Sequence, residues 1–452
     1  MHINPDIFRS YDVRGIYPTD LNESIVYRII QTHISLFLPK SMVIGRDVRT
    51  SGKSLQKSAM DACTDAGVDV IDIGVVSTDT FYFAVGKFPV DGGVTISASH
   101  NGREWNGLNF CKKGAEPMSS QTGLFKIRDE LLKGFKPLSN PKKGNVTTEN
   151  VTDDFLKRVI SFVNPTVFKG CKIVANGNFG VDVLLLKRAV ELFNLPINII
   201  SLNGEPDGTF PKGPPNPLLP ENRLEFLELV KKEKADLGVS WDADGDRCFF
   251  ADETGTFIEG YFMTAILATE ILKKERGSTI VIDPRLTWAT TEAITDNGGK
   301  VVISKPGMTI IPEKMKETGA VFAGEMSSHF YFKENFYRDN GLIPLFLVLE
   351  LLSNKNTTLS QLAKHYTSKY FISGELNFET KNKDEIIKGL EEKYKDGNIE
   401  HIDGLSVEYS NWRFNIRKSN TEPLLRFNLE ALSKERMEEK RDEVVQYINQ
   451  HK

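Results

Sequence analysis

The chain has 452 residues, too many for one ordinary hydrophobic core, so several domains are expected. An apolar fraction of 40%, a charged fraction of 26% and a net charge of −4 describe a soluble globular protein and argue against nucleic acid or an anionic membrane as a partner. The four cysteines, Cys63, Cys111, Cys171 and Cys248, form no C-x-x-C pair, which argues against a disulfide framework or structural zinc and fits a reducing cytosol.

Taken in chain order, the start, Met1-His2-Ile3-Asn4-Pro5, lacks an apolar signal core, and a cytoplasmic location is expected. A basic cluster follows at 9–15, with Tyr11 and Arg14. A strand at 42–45 leads through a second basic cluster, 45–54, into a helix ending near Ala66, and then to a strand at 68–71. The second cluster imitates a Walker A loop, but the glycine required five positions before Gly52 is Asp47, so an NTPase is disfavoured. Both clusters, taken alone, read as solvated charged surface. Asp91-Gly92-Gly93 opens an apolar strand whose exit carries Ser97-Ala98-Ser99-His100-Asn101. The strand–helix–strand pattern repeats at 172–200, with its helix over 181–193, and again at 280–303, with its helix from 287 to about 295. Such alternation predicts crossover units with largely parallel pairing. The apolar run 341–352 contains Glu350 and is too short to span a membrane, so it reads as a buried helix. From about Ser373 the pattern changes to an α+β layer, with strands near 376–378 and 412–415 and helices near 383–393 and 433–449. Linkers are expected at 137–150 and 368–375. The fold class is therefore α/β: three related mixed α/β domains, 1–146, 147–254 and 255–372, and a C-terminal α+β domain, 373–452.

Two stretches carry the chemistry. Ser99, flanked by His100 and Asn101, offers a hydroxyl nucleophile with a neighbour able to shuttle a proton. Asp242, Asp244 and Asp246 follow the strand 237–241, and carboxylates this close need a compensating cation or basic groups. An EF-hand calcium loop is the rival, with Glu253 in the twelfth position, but Arg247 replaces its turn glycine and 248–251 reads as a strand. A catalytic Mg2+ held against a phosphorylated serine is favoured. Arg417-Lys418-Ser419-Asn420-Thr421 crowds basic, hydroxyl and amide groups into one turn suited to a phosphate. In 324–329, Glu325, Ser327 and His329 alternate, and from an extended segment they would face one way and read polyol hydroxyls; alone, the segment is an ordinary polar loop.

Together these loops resemble the α-D-phosphohexomutase family, most closely its phosphomannomutase/phosphoglucomutase branch. The resemblance spans nearly the whole chain, from Phe8-Arg9-Ser10-Tyr11-Asp12 through 205–222 to the Arg417 loop. It implies four domains around one central cleft, with Ser99 as the phosphoserine and Asp242, Asp244 and Asp246 holding magnesium against it. Arg247 would neutralise charge in the transfer. Glu325 and Ser327 would bind sugar hydroxyls, and Arg417, Ser419, Asn420 and Thr421 would grip the phosphate that is not reacting. Tyr11, Arg14, Lys305 and His329 complete the expected substrate-binding set. The implied reaction interconverts hexose 1- and 6-phosphates of mannose or glucose through a bisphosphate, with hexose 1,6-bisphosphate as activator. The chain departs from the family at Asn109, where a lysine is usual, and at Met308, where a histidine commonly follows the glycine. It departs again at Arg285, Gly102 and Ser328, in place of lysine, proline and glycine. His100, Lys112 or Arg14 is expected to take over from the missing lysine. The alternatives are a phosphosugar-binding protein with lost turnover and a metal-dependent sugar phosphatase.

Overall fold

The alternation of apolar runs with polar loops builds sheets whose helices return the chain between neighbouring strands. In the computed structural model, residues 3–419 and 424–452 are described. The chain forms two units, 1–257 with 329–356, and 258–328 with 357–452.

In the first unit, one sheet runs in the order Val13–Ile16, Trp105–Lys112, Gly92–Ile96, Ser41–Arg46, Asp69–Val75 and Val146–Thr148. Ser41–Arg46 pairs parallel with Asp69–Val75, the helix Gly52–Asp65 making the crossover, and parallel with Gly92–Ile96. Trp105–Lys112 instead pairs antiparallel with both Gly92–Ile96 and Val13–Ile16, so the sheet is mixed rather than largely parallel. The physical reason is the polar turn between Ile96 and Trp105, which folds the chain straight back without a crossover helix. That turn carries Ser99. In the second sheet, the fully buried Leu237–Trp241 lies between Cys171–Asn176, parallel to it, and Cys248–Asp252, antiparallel. Trp241 faces Cys248 in this register, so the acidic loop is the turn of a hairpin, and Gly245 takes the φ of 74° that a tight turn requires. The apolar run becomes the buried helix Ile343–Lys355, which belongs to this unit, and Trp241 Nε1 donates to the Gly341 carbonyl at 2.7 Å.

In the second unit, Thr279–Ile282 pairs parallel with Lys300–Ile303 and with Phe322–Gly324. A six-stranded sheet follows, its pairs antiparallel, with Leu424–Ala431 bonded to Trp412–Lys418, Phe371–Ile372 and Leu376–Glu379. The helices Lys383–Lys393 and Lys434–His451 cover its core of Leu390, Phe414, Phe427 and Val444. Both expected linkers contain short strands: Val146–Thr148 adds an edge to the first sheet, and Phe371–Ile372 joins the last one. The four cysteines are free. Among the described residues no helix is long and apolar enough to cross a membrane.

Candidate active site

Ser99 sits at 7% exposure with φ 47°, in the left-handed region that non-glycine residues rarely enter. Its amide donates to Ser97 Oγ at 2.9 Å, and Ser97 Oγ donates to Asp244 Oδ2 at 2.9 Å. Ser99 Oγ donates to Asp242 Oδ2 at 3.1 Å and lies 3.1 Å from His100 Nδ1. The serine and acidic loops, about 140 residues apart in sequence, thus meet directly. Thr78 adds a second anchor, its Oγ1 donating to Asp244 Oδ2 at 2.7 Å.

Asp242, Asp244 and Asp246 each offer a carboxylate oxygen, all within 4.8 Å of one another. Asp244 Oδ1 and Asp246 Oδ1 are buried without a hydrogen-bond partner, which is the state expected of oxygens reserved for a cation. A hard divalent ion with oxygen ligands fits this donor set. Burial and the neighbouring Asp246 push the Asp242 carboxyl up to about 6, and burial with Asp246 and Asp242 drives Asp244 well above the usual range. Asp246 goes the other way: burial opposes ionisation, but His329, Arg247 and Arg338 more than offset it. A second group, Asp246, His329 and Asp339, has the same spacing, but His329 Nε2 already accepts from Arg247 Nε at 3.2 Å.

Arg247 spans the site. Its Nη2 donates to His100 Nδ1 at 2.9 Å, and its Nε lies 3.5 Å from Asp242 Oδ2. Burial first, then Arg247, Arg14, His329 and Arg49, holds His100 well below the ordinary histidine range. The imidazole is therefore neutral, with Nδ1 accepting and the proton on Nε2. Arg14 is fixed by Asp12 Oδ2, at 2.9 Å from Nε and 2.5 Å from Nη2, and donates to Asn101 Oδ1 at 2.5 Å. Tyr11 lies half-buried in the loop just before it.

The second unit gathers another cluster. Glu325 Oε1 accepts from the Gly307 amide at 2.6 Å, and Ser327 Oγ donates to Glu325 Oε2 at 3.3 Å. Asp283 accepts from the Met326 amide at 2.8 Å and from Arg285 Nη2 at 2.7 Å. Glu375 lies 3.7 Å from Arg285, 4.0 Å from Arg417 and 3.3 Å from Arg426, while Asp403 stands 3.6 Å from Arg417 Nε. Burial pushes the Asp403 carboxyl up, against Arg417, Arg285 and Lys305. Three guanidinium groups, Arg285, Arg417 and Arg426, stand among three carboxylates, Asp283, Glu375 and Asp403, so their forked N–H donors rather than a surplus of charge are what suit an anion. Buried Arg413 fastens the loop that bears Arg285, donating to the carbonyls of Pro284 at 2.9 Å and Arg285 at 3.2 Å while pairing with Glu430.

The structure thus brings together Ser99, His100, Asp242, Asp244, Asp246, Arg247 and His329 in the first unit. In the second it brings Arg417 to Arg285 and Glu325 to Ser327. Lys305 is exposed just beyond Lys300–Ile303, and the Ser419 amide donates to the Leu424 carbonyl at 2.9 Å. Asn420 and Thr421 lie outside the described residues. Two expectations change. Residues 325–328 form a turn, the Ser328 amide donating to the Glu325 carbonyl at 3.0 Å with φ 66° at Ser328, so Glu325, Ser327 and His329 do not alternate along an extended segment. Lys112 is paired with Glu116 and stands opposite Gly92, the far end of the strand that leads to Ser99, so it does not replace the missing lysine. Asn109 itself donates to Tyr82 Oη at 2.9 Å, and buried Arg338 lies 3.7 Å from that ring, bringing a fixed positive charge to the neighbourhood. Arg49 is the residue that sequence reasoning missed: it is 1% exposed rather than solvated surface. Its only sequence signal is the Asp47 two positions earlier.

Four family models match in order. The phosphoglucomutase/phosphomannomutase α/β/α domains I, II and III match residues 5–136, 153–255 and 259–370, and the C-terminal domain of the same family matches 375–446. A phosphomannomutase of Vibrio cholerae is 40% identical over 437 residues, 94% of each chain. A protein of Xanthomonas campestris named for phosphohexose mutases is 40% identical over 427 residues, again 94% of each. A solved phosphoglucomutase/phosphomannomutase family protein from Burkholderia thailandensis superposes with a TM-score of 0.89 at 27% identity, covering 100% of this chain and 98% of its own. Four domains in family order, on a serine loop hydrogen-bonded to a carboxylate cage, leave one conclusion: the chain belongs to the phosphoglucomutase/phosphomannomutase family.

Proposed function

We propose that the protein interconverts hexose 1-phosphate and hexose 6-phosphate, with mannose the first sugar to test and glucose the second, through a phosphoserine at Ser99 and a hexose 1,6-bisphosphate. The observation that carries this is the 3.1 Å contact of Ser99 Oγ with both Asp242 Oδ2 and His100 Nδ1. Relatives of 40% identity named for phosphomannose and phosphohexose mutases support the substrate class.

In the chemistry, the Ser99 hydroxyl donates to Asp242 Oδ2, the carboxylate placed to take its proton when a phosphoryl group is taken up, while neutral His100, its Nδ1 accepting from Arg247, flanks and orients that hydroxyl. Arg247, with His329 beside it, supplies N–H donors and charge where the equatorial oxygens of a loose transition state spread their negative charge. Arg14, locked by Asp12 and Asn101, adds a second guanidinium to that side. Asp242, Asp244 and Asp246 would hold a Mg2+ ion, which when bound would supply Lewis-acid neutralisation of phosphoryl charge. The second unit holds what does not react: Glu325 and Ser327 accept and donate to hydroxyls, while Lys305, Arg417 and Ser419, with Asn420 and Thr421, bind the idle phosphate. Arg285 joins that set by its proximity to Arg417. Boundaries near 146, 254 and 372 belong to the same reading.

The test is turnover of mannose 1-phosphate and glucose 1-phosphate, each with Mg2+ and a catalytic amount of hexose 1,6-bisphosphate. We expect 6-phosphate from wild type and none from Ser99→Ala or after chelation. Release of inorganic phosphate without isomerised product would point to a phosphatase, and binding without either product to a phosphosugar-binding protein.

A further inference from the structure

Arg49 is separated from Ser99 by 50 residues, yet its guanidinium holds the serine loop from behind. Nη2 donates to the carbonyls of Ser99 at 2.6 Å and Asn101 at 2.7 Å. Nη1 donates to the carbonyls of Gly102 at 2.6 Å and Trp105 at 3.1 Å. Nε donates to Asp47 Oδ2 at 3.0 Å, and the Arg49 amide donates to Asp47 Oδ1 at 2.9 Å. Every N–H of the fork has its own acceptor, an arrangement that lysine, with three donors on one point, cannot reproduce.

The far side is clamped as well. The Phe210 ring lies 4.9 Å from the guanidinium carbon, at 3% exposure and with a left-handed φ of 44°. Gly208 bridges the Arg49 backbone so closely that a Cβ there would stand 2.1 Å from the Val48 carbonyl. Both residues come from the loop that follows the strand Ile197–Leu202 of the second sheet. Two domains of one unit therefore fix a single side chain.

Ser99 needs such a holder. A non-glycine residue stays left-handed only where its surroundings over-determine it. Four carbonyls drawn to one guanidinium curl the 99–105 backbone around it, and the serine side chain is then turned toward Asp242 and His100. We propose that Arg49, clamped by Asp47 and by Gly208 and Phe210, is the positioning residue that holds Ser99 in its reactive conformation. The kinetic consequence rests on the mutase reading; the conformational one does not.

The experiment compares wild type, Arg49→Lys, Arg49→Ala and Phe210→Leu, full-length and with Mg2+. It reads kcat, KM for the hexose phosphate, Ser99 phosphorylation by intact mass after hexose 1,6-bisphosphate, and amide hydrogen exchange over residues 98–102. Arg49→Lys should lose about 10²-fold in kcat, the usual effect of an ångström-scale misplacement, with KM within about twofold because the hydroxyl- and phosphate-binding groups are untouched. Exchange over 98–102 should accelerate, and Phe210→Leu should do the same to a lesser degree. Guanidinium, too dilute to perturb wild type, should restore part of the loss in Arg49→Ala. A folded Arg49→Lys with wild-type kcat and unchanged exchange overturns the proposal, and so does a loss expressed wholly in KM. Should Arg49→Ala fail to fold, Arg49→Lys and Phe210→Leu carry the test. A wild type that neither isomerises nor phosphorylates Ser99 sinks the mutase reading instead, and exchange over 98–102 then decides the positioning claim alone.

Discussion

His33 shows how one buried group writes a pH dependence into the fold. It lies in the core of the first sheet, its ring centroid 5.0 Å from that of Phe37 and 5.1 Å from that of Phe110, and burial lowers its pKa from 6.5 to about 4. Above the unfolded value the ring is neutral in both states and nothing is lost. As pH falls through 6.5 toward 4, the unfolded chain takes the proton first, and stability declines by about 3 kcal/mol in total. His33→Leu should remove that component, so urea unfolding between pH 7 and 4.5 should give a shallower decline than wild type; equal slopes would contradict it. The candidate-site residues were legible at this scale, because Ser99 and the three aspartates are compact local patterns. Arg49 was not. Apart from Asp47, its hydrogen-bond partners are main-chain carbonyls 50 or more residues away, and a carbonyl leaves no mark in a sequence.

Among elements, the strand Trp105–Lys112 decides where the serine loop starts and ends. Gly107 lies between two neighbours, and a Cβ there would meet the Val13 carbonyl at 2.5 Å and the Ser97 carbonyl at 2.6 Å. Gly107→Ala should therefore destabilise by about 1–3 kcal/mol, as overpacking does, and lower kcat by shifting Ser97, which anchors both the Ser99 amide and Asp244. Thermal unfolding beside steady-state kinetics checks both; an unperturbed kcat would show that Ser97 does not transmit the shift. Strands such as Ser41–Arg46, Leu237–Trp241 and Thr279–Ile282 were readable because each is a nearly unbroken apolar run bounded by turn residues. Val146–Thr148 was not, since all three residues are exposed and the strand exists only by hydrogen-bonding to an edge. The turn at 325–328 escaped for a related reason: its shape comes from Gly307 and Asp283 binding Glu325 and the Met326 amide, both distant in sequence.

At the scale of the molecule, the path of the chain matters more than the count of domains. The core of the last sheet is drawn wholly from residues 378–448, so a fragment 370–452 should fold alone, with cooperative urea unfolding and protected amides. A fragment 1–257 should not reach the native first unit, because the helix Ile343–Lys355, the Gly341 carbonyl that receives Trp241 and the imidazole that receives Arg247 all come later. Nuclear magnetic resonance spectra of the two fragments would separate these outcomes, and a well-dispersed 1–257 would refute the second. Its apolar run and short length marked 341–352 as a buried helix, but such a run says nothing about which unit does the burying. Vectorial synthesis gives that return segment a further meaning. The acidic hairpin leaves the ribosome roughly a hundred residues, on the order of 5–20 s, before the segment that closes over it. For that interval the hairpin has its upstream partners, Thr78, Ser97 and Ser99, but not the Gly341 backbone or the His329 ring, so the acidic loop is completed last by a segment made long after it.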